Sequence, residues 1–413
     1  MKSESWNTES VADCIVPVSV AGKSKIQSRD YKQSGRFPVI DQGQQRIAGW
    51  TDDEGAIIET PLPLVVFGDH TRAFKFLDEP FARGADGTQL LRPKPGIDPL
   101  FFFYACRAID LPARGYNRHF AVLKEKVLSY PFDEDEQKAI AAVLRQTESA
   151  LVQQSAQLGV LQELKRAAMS RLFTRGLRDE AQKETGFGSI PEAWTVIPLN
   201  ECATVQTGAA KGRKLPEDEA VDVPYLRVAN VQDGRLDLRE MKTIRIRQSE
   251  IQRYRLLPGD VVLTEGGDFD KLGRGFIWRG ELDFCVHQNH VFAVRPDRGQ
   301  LLPEFFAYLA QSAYGKAYFL KVAHKTTNLA CINSTKLKEF PVPIPPTLDE
   351  QSEIVAILDA LDRKVALHRE KRAVLEELFQ SLLHKLMTGE IRVADLDLSA
   401  LLGAPAQLAE ATA

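Results

Sequence analysis

Hydrophobic residues recur at alternating steps of four and three along two long segments of the chain. This spacing is sustained over more than four heptads in each segment, and it predicts two long helices that pack lengthwise. Gly176 and Gly389 follow the last of these positions, where a C-terminal helix cap is expected. The predicted seam positions are Ile140, Leu144, Leu151, Leu158, Leu161, Leu172, Ile354, Leu358, Leu361, Val365, Leu375, Leu382 and Leu386.

The two helical segments also begin with nearly the same residues. "DEDEQKAIAAVL" (Asp133–Leu144) and "DEQSEIVAIL" (Asp349–Leu358) contain Gln137 and Gln351, which lie 351 − 137 = 214 positions apart. The same offset relates Pro131 to Pro345, Ile140 to Ile354, Leu161 to Leu375 and Leu172 to Leu386. The sequence therefore predicts an internal duplication in which a globular unit and a long helix occur twice. Antiparallel packing of the helices would relate the two copies by a pseudo-two-fold axis.

The rest of the chain breaks into short apolar runs between turn residues, which is typical of strands that lead into loops. "FFFYACRAI" and "PEFFAYLAQSAYGKAYFL" each predict a core helix. We expect an α+β fold, with two α/β domains separated by two long antiparallel coiled-coil helices and an internal pseudo-two-fold repeat. The predicted bounds are 1–130 for the first domain, 131–176 for the first helix, 177–191 for a linker, 192–344 for the second domain, 345–390 for the second helix and 391–413 for a C-terminal tail.

Composition excludes several classes of protein. The 413 residues carry a net charge of −3 and are 44% hydrophobic, which suits packed cores and does not indicate nucleic-acid binding by bulk charge. The longest apolar runs are too short for a membrane span, and the N-terminus lacks the apolar stretch of a signal peptide, so we expect a cytoplasmic protein. Five scattered cysteines argue against a disulfide framework, and we expect no metal site.

Sequence signatures of a self-contained enzyme are weak. "AGKS" (Ala21–Ser24) resembles the end of a phosphate-binding loop, but Pro17 stands where that motif needs its first glycine. "GDHTR" places Asp69 and His70 in one loop, as a hydrolase might, but the second half of the chain has no counterpart. No serine or cysteine stands in a nucleophile motif. We therefore predict no catalytic residues.

Basic and amide side chains are instead concentrated in predicted loops and on one strand. The segment "KTIRIRQ" would place Arg245 and Arg247 on the same strand face, and "DQGQQR" holds amides of the type that read adenine. These residue types contact phosphates and base edges in DNA complexes. The predicted DNA-binding residues are Gln42, Gln44, Arg46, His70, Arg72, Lys75, Asn117, Arg118, His119, Lys211, Arg213, Arg227, Asn230, Arg245, Arg247, Lys271, Arg274, Lys325, Thr326, Thr327 and Asn328.

The chain resembles the specificity subunit of Type I restriction–modification enzymes over essentially its whole length. The resemblance depends on "FPVIDQG", on "VVFGDHTR" followed by "GADG", on "GSIPEAW" before the second unit, on "PVPIPPTLDEQ" before the second helix, and on the duplicated order. It implies two target-recognition domains, each of which reads one half of a split double-stranded DNA target. The chain departs from the pattern at "SWNTES", because the first unit lacks the "GSIPEAW" entry.

The resemblance also implies partners and cofactors. The helices are expected to bind two methylation subunits, which bind S-adenosylmethionine and methylate adenine at N6, and restriction subunits with ATP and Mg²⁺ are expected to join for cleavage. This chain is expected to bind none of these cofactors and to be non-catalytic. Two other readings stay open: a helical interaction scaffold without sequence readout, and a stand-alone DNA-acting hydrolase that uses Asp69 and His70.

Overall fold

The computed structural model describes residues 6–84, 87–112, 118–267, 272–325 and 330–397. The chain forms two compact units. The first unit comprises residues 1–156 and 370–413, and the second comprises residues 157–369. Both boundaries fall inside long helices, so each unit contains part of each long helix.

The first unit contains three small sheets around a single core helix. Its central sheet has the strand order β2-β9-β6-β7, a second sheet has the order β4-β3-β8-β5, and β1 pairs with β10. The strands are β1 (Trp6–Ser10), β2 (Ile15–Val16), β3 (Phe37–Ile40), β4 (Gly49–Thr51), β5 (Ile57–Ile58), β6 (Leu64–Gly68), β7 (Phe74–Leu77), β8 (Phe81–Arg83), β9 (Thr88–Pro93) and β10 (Val127–Pro131). The helices are α1 (Val11–Cys14), α2 (Pro99–Ala108), α3 (Phe120–Glu125) and α4 (Glu134–Arg175).

The second unit repeats this plan with additions. Its central sheet has the order β14-β23-β19-β21, β18-β15-β22 form a second sheet, and β13 pairs with β26. The strands are β11 (Gln182–Thr185), β12 (Gly188–Pro191), β13 (Thr195–Pro198), β14 (Ala203–Thr207), β15 (Ala220–Leu226), β16 (Val231–Gln232), β17 (Arg235–Leu236), β18 (Lys242–Arg247), β19 (Val261–Thr264), β20 (Gly266–Gly267), β21 (Gly275–Ile277), β22 (Val286–His287), β23 (Val291–Pro296), β24 (His324–Lys325), β25 (Ala330–Cys331) and β26 (Pro341–Ile344). The helices are α5 (Leu199–Cys202), α6 (Ile251–Tyr254), α7 (Pro303–Gln311), α8 (Ala313–Val322), α9 (Ser334–Lys338) and α10 (Leu348–Thr388).

Within each unit the two long helices pack with opposite ends together. In the first unit, Ile140 and Leu144 from the start of α4 share a core with Leu382 and Leu386 from the end of α10. In the second unit, Leu172 near the end of α4 shares a core with Ile354 and Leu358 from the start of α10. The helices are therefore antiparallel, and the predicted α+β fold class with two α/β units and an internal repeat is confirmed.

Most of the predicted seam positions pack in the hydrophobic core of the unit to which they belong. Gly176 and Gly389 follow the helices with φ of 63° and 71°, the left-handed conformation that a glycine C-cap adopts. Nine of the seam positions are buried and four are half-buried. The buried ones are Ile140, Leu144, Leu158, Leu172, Ile354, Leu358, Val365, Leu382 and Leu386, and the half-buried ones are Leu151, Leu161, Leu361 and Leu375.

The repeated glutamine explains why both helices start with the same motif. Gln137 is fully buried, and its amide accepts from Asp98 N (2.8 Å) and donates to the carbonyls of Gly96 (3.0 Å) and Pro131 (2.8 Å). Gln351 does the same work in the second unit, where its amide accepts from Leu302 N and donates to Gln300 O, both at 2.9 Å. Each glutamine thus ties the start of a long helix to the residues before the core helix.

One predicted element is wrong in detail. The segment "PEFFAYLAQSAYGKAYFL" forms two helices, α7 and α8, rather than one. The break falls at Ser312, which has extended backbone (φ −65°, ψ 168°) and whose side chain accepts from Gly315 N. A serine that caps a new helix from its own side chain competes with continuation of the previous one.

Candidate nucleic-acid interface

The end of the central strand in the first unit is held by a buried carboxylate. Asp69 follows β6, is 3% exposed, and its Oδ1 accepts from His119 N (2.8 Å) and Phe120 N (2.7 Å) at the start of α3. The backbone of Asp69 also accepts from His119 N (2.9 Å), and Asp69 N donates to Gly87 O (2.7 Å). Asp69 is thus committed to joining three chain segments, and the geometry gives no support to a hydrolase that uses it with His70.

The second unit has the same backbone framework with different side chains. Glu265 follows β19, its N donates to His290 O (3.0 Å), and its carbonyl accepts from Ile332 N (2.9 Å). The carboxylate of Glu265 contacts His290 Nδ1 at 2.5 Å, and this pair is partly open to solvent. An acidic residue therefore ends the central strand in both units, but it is buried in the first and faces an exposed histidine in the second.

In the first unit the structure brings most predicted DNA-binding residues into two adjoining loops. Gln42 Oε1 accepts from His70 N (3.3 Å), and Gln44 Nε2 donates to Thr71 O (3.3 Å). The residues of these loops differ in accessibility. Gln44, Arg46 and Arg72 are exposed, Gln42 and His70 are half-buried, Arg118 is exposed, and His119 and Lys75 are buried. Asn117 lies outside the described residues.

Lys75 and Arg72 have unusual local environments, Lys75 through its burial and Arg72 through its backbone conformation. Lys75 is 6% exposed, donates to Asp41 O (2.8 Å) and lies 3.5 Å from the Asp41 carboxylate. Burial lowers the pKa of Lys75, and Asp41 partly opposes that change. Arg72 has φ of 62°, a strained conformation for a residue with a side chain, and its guanidinium donates to Leu111 O (2.5 Å). Strain of this kind is characteristic of functional loops.

In the second unit the predicted residues fall into two groups by their contacts. Exposed positions are Lys211, Arg245 and Lys325, together with Arg247, which lies 3.4 Å from Glu219. Thr243, Arg245 and Arg247 share the solvent face of β18, while Ile244 and Ile246 are buried, so the predicted strand geometry is confirmed. Lys271, Thr326, Thr327 and Asn328 lie outside the described residues.

Arg213, Arg227 and Arg274 form hydrogen bonds within the protein. Arg213 forms a two-pronged contact with Glu250 (2.9 and 3.0 Å), which lowers the pKa of that carboxyl. Arg227 donates to Glu240 O and to Asn230, and Asn230 is itself buried with its amide donating to Asp237 O and Glu240 O. Arg274 donates to Gln232 Oε1 at 3.0 Å. These side chains shape loops, and their contact with DNA stays a prediction.

Sequence reasoning missed two features that the structure places beside these loops. Arg145 of α4 faces β7 and lies 3.5 Å from Asp78, and the exposed pair of Glu265 and His290 flanks the end of β19. A signal for Arg145 was present in the repeat, because the residue 214 positions later is Asp359, so the charge is reversed.

The long helices also carry exposed apolar residues at repeated positions. Val160 and Leu164 on α4 are 65% and 51% exposed, and Val374 and Leu378 on α10 are 59% and 36% exposed. Each pair has the i,i+4 spacing of one helix face, and the two pairs are related by the same offset of 214. The exposed apolar pair on each long helix therefore recurs at equivalent positions of the repeat.

No group of three or more His, Cys, Asp or Glu side chains is placed to hold a metal ion in the part of the chain that the structure describes. Within that same part, every helix is too short or too polar to cross a membrane.

Comparisons with known proteins give one consistent family. Residues 191–377 match the model of the Type I restriction modification DNA specificity domain. The chain is 27% identical over 212 residues to a putative Type I restriction enzyme MjaX specificity subunit of Methanocaldococcus jannaschii; this match spans 51% of the chain and only 49% of that relative. It is 23% identical to the MjaVIII specificity subunit of the same organism, over 95% of both chains.

A solved structure shares the fold. The specificity (S) subunit of a Type I restriction–modification system from M. genitalium matches with a TM-score of 0.61 and 16% identity, over 92% of this chain and 96% of that one. At this identity the likeness shows that the two chains share a fold over nearly their whole length.

Proposed function

We propose, from the premise that the chain belongs to the family of specificity subunits of Type I restriction–modification enzymes, that it reads a bipartite DNA target with one unit for each half-site. The observation that carries this proposal is the duplicated framework with unlike loops. The backbone contacts of Asp69 recur at Glu265, while the side chains around them differ. Two readers built on one frame suit a target whose halves differ in sequence.

The exposed side chains of the two units suit contact with a duplex. Arg46 and Arg72 with Gln44 in the first unit, and Arg245 with Arg247 on β18 in the second, offer guanidinium and amide donors to phosphates and base edges. The modest net charge of −3 is compatible with this role if partner subunits supply further phosphate contacts. The chain itself reads sequence and carries no catalysis in this proposal.

The repeated apolar pairs on the helices supply the docking surfaces. Val160 and Leu164 on one helix and Val374 and Leu378 on the other would bind two copies of a methylation subunit in equivalent ways. In this proposal the methylation subunits bind S-adenosylmethionine and methylate adenine at N6 in each half-site. Restriction subunits, which use ATP and Mg²⁺, would join the same complex for cleavage.

The reading function is tested by footprinting the complex assembled with its methylation subunits. We expect two protected patches separated by an unprotected gap, with methylated adenines mapped inside both patches. The chain alone, incubated with DNA and S-adenosylmethionine, should transfer no methyl group and cut no strand. A single continuous footprint independent of sequence would favour the scaffold reading, and turnover by the isolated chain would favour the hydrolase reading.

Docking is tested with one charged substitution per surface. Val160→Asp and Val374→Asp should each remove one methylation subunit, and the double variant should remove both, as counted by native mass spectrometry. Gln162→Asp is the matched control, because this exposed residue lies two positions from Val160 and therefore on another helix face. Retention of two methylation subunits by both single variants would contradict the proposed surfaces.

A further inference from the structure

The first unit contains a groove of about 890 Å³ to which the proposed function assigns no ligand. It lies between β7, the core helix α2 and the first part of α4. Its floor is aromatic, formed by Phe74, Phe76, Phe103 and Tyr104. Its charged lining residues are Arg46, Arg72, Lys75, Arg107 and Arg145, against Asp78, Asp110 and Glu148.

The cations that line the groove fall into two classes. Lys75 is paired with Asp41, and Arg107 donates to Glu148 (2.5 Å) while its guanidinium lies over Phe103, Tyr104 and Phe379 at 5.1–5.7 Å. These two are structural. Arg46, Arg72 and Arg145 are exposed at the rim, and each guanidinium has five N–H donors.

The rim arginines keep donors available for an external anion. Arg72 uses one of its guanidinium nitrogens on Leu111 O, and Arg145 makes a contact of 3.5 Å with Asp78 while 58% of its side chain stays exposed. A planar guanidinium matches the oxygens of a phosphate in two-pronged geometry. The groove is therefore complementary to a phosphate group at its rim.

The repeat gives a second, independent observation. The residue that corresponds to Arg145 in the second unit is Asp359, which lies 2.6 Å from the hydroxyl of Tyr308. The same helical position is thus cationic in one unit and anionic in the other. A structural requirement shared by both units would not reverse the charge.

We propose that this groove binds the phosphodiester backbone of DNA, and that Arg145 is a phosphate contact contributed by the long helix beside Arg46 and Arg72. This inference rests on the proposed function and restricts it, because only the first half-site would receive a helix-borne contact. DNA is favoured over an acidic protein segment because Gln44 and Arg46, which belong to the loop proposed above to contact DNA, form the same rim. The volume is sufficient for a nucleotide-sized segment.

The test uses the complex assembled with its methylation subunits and a duplex that carries its target. Arg145→Gln should weaken binding by about tenfold at moderate salt, as expected for loss of one charge-assisted contact. The slope of log affinity against log salt should fall by about one, with unchanged base preference. Arg145→Lys should keep the slope, and Arg145→Asp should weaken binding further. Arg166→Gln, an exposed arginine elsewhere on α4, is the control.

Each outcome is distinguishable from failure of the proposed function. If the unaltered complex gives no sequence-specific footprint, the proposed function itself fails. If that complex binds specifically while Arg145→Gln matches it in affinity and salt slope, the groove inference is overturned. Loss of a methylation subunit from Arg145→Gln, seen by native mass spectrometry, would also overturn it in favour of a protein partner. Because Arg145 is largely exposed, thermal unfolding of the variants should match that of the unaltered chain.

Discussion

Both units contain a tyrosine that contacts a carboxylate of a long helix. The basic residue that pairs with this carboxylate comes from a different helix in each unit. In the first unit Tyr104 on α2 donates to Glu148 on α4 (2.9 Å), and the cation, Arg107, comes from α2 itself. In the second unit Tyr308 on α7 contacts Asp362 on α10 (2.8 Å), and the cation, Lys165, comes from the other long helix with Nζ 2.6 Å from Asp362.

Because the cations come from different helices, the tyrosine–carboxylate contacts of the two units depend on different helix pairs. Burial, reinforced by the neighbouring carboxylates, raises the pKa of both tyrosines, so both phenols act as proton donors at neutral pH. In the first unit the cation and carboxylate come from the core helix and α4. The second unit needs α4 and α10 paired in register, because its cation lies on one long helix and its carboxylates on the other. The ion pair of the second unit thus joins the two long helices, whereas in the first unit α10 contributes only the aromatic ring of Phe379 to the cluster.

The largest effect is expected from the buried glutamines. Gln137→Leu would leave Asp98 N, Gly96 O and Pro131 O without their partner, and each buried unpaired group costs about 1–3 kcal/mol. Gln351→Leu would leave two such groups. We therefore expect Gln137→Leu to lower the free energy of unfolding by about 3 kcal/mol or more, and Gln351→Leu to lower it by less.

These losses should be local to the unit that carries the substitution. Hydrogen exchange of the α2 amides should report Gln137→Leu, and exchange of the α7 amides should report Gln351→Leu. Gln153→Leu, at an exposed position of α4, is the control, and it should change the free energy of unfolding by no more than about 0.5 kcal/mol. If either variant accelerated hydrogen exchange equally in both units, the two glutamines would not stabilise their units separately.

Removal of the positive charge of Lys165 or Arg107 should lower stability by less than loss of the buried glutamines. Tyr308 lies within hydrogen-bond distance of both Asp359 (2.6 Å) and Asp362 (2.8 Å), and one phenol proton cannot serve two carboxylates at once. Lys165→Met would leave this pair without its cation, at a cost of about 1–3 kcal/mol since the side chains of Lys165 and Asp362 are only 16% and 30% exposed. Arg107→Met should cost about 1 kcal/mol, because a single carboxylate remains.

Hydrogen exchange of the α7 amides in Lys165→Met and of the α2 amides in Arg107→Met measures the two losses of stability. Lys165→Arg should restore most of the loss, and Lys364→Met is an exposed control in the same unit. A larger loss for Arg107→Met than for Lys165→Met would show that the aromatic stacking of Arg107 outweighs charge neutralisation.

Local patterns predicted the helices and the repeat because they act over a few residues. The heptad spacing identified Leu144 and Leu358, and the repeated "DEQ" identified both helix starts. The role of Gln137 was not predictable, since its partners at Gly96 and Asp98 lie about forty residues away. Tertiary contacts of this kind follow from packing, which a single sequence does not display.

The candidate site was predicted less completely for the same reason. A basic residue in a loop has the same local sequence whether it faces solvent, as Arg245 does, or is paired within the fold, as Arg213 is. Arg145 was absent from the predicted site because it belongs to a helix, and its neighbour Asp78 is 67 positions away. Only the charge reversal between Arg145 and Asp359 in the repeat carried information about it.

The smallest effect concerns a carboxyl that the second unit buries against its tryptophan. Trp194 is fully buried and its Nε1 donates to Glu350 Oε1 (2.9 Å), whereas Trp6, the first residue of β1 in the first unit, is only half-buried. Burial raises the pKa of Glu350, although the Trp194 hydrogen bond opposes that change. A carboxyl with a raised folded-state pKa contributes stability that is fully present below its unfolded pKa and is lost as pH rises through the raised value.

Glu350→Gln should therefore stabilise the second unit at pH 7 by less than about 1 kcal/mol, because the amide keeps the indole hydrogen bond without a buried charge. The difference from the unaltered chain should vanish below about pH 4, where the carboxyl is protonated in both folded and unfolded states. Thermal unfolding across this pH range measures the effect, with Glu353→Gln as an exposed control on the same helix. A variant that is less stable at pH 7 would mean that the ionised carboxylate is held by the indole more strongly than burial disfavours it, and that this contact stabilises the second unit in a way that the half-buried Trp6 does not provide in the first.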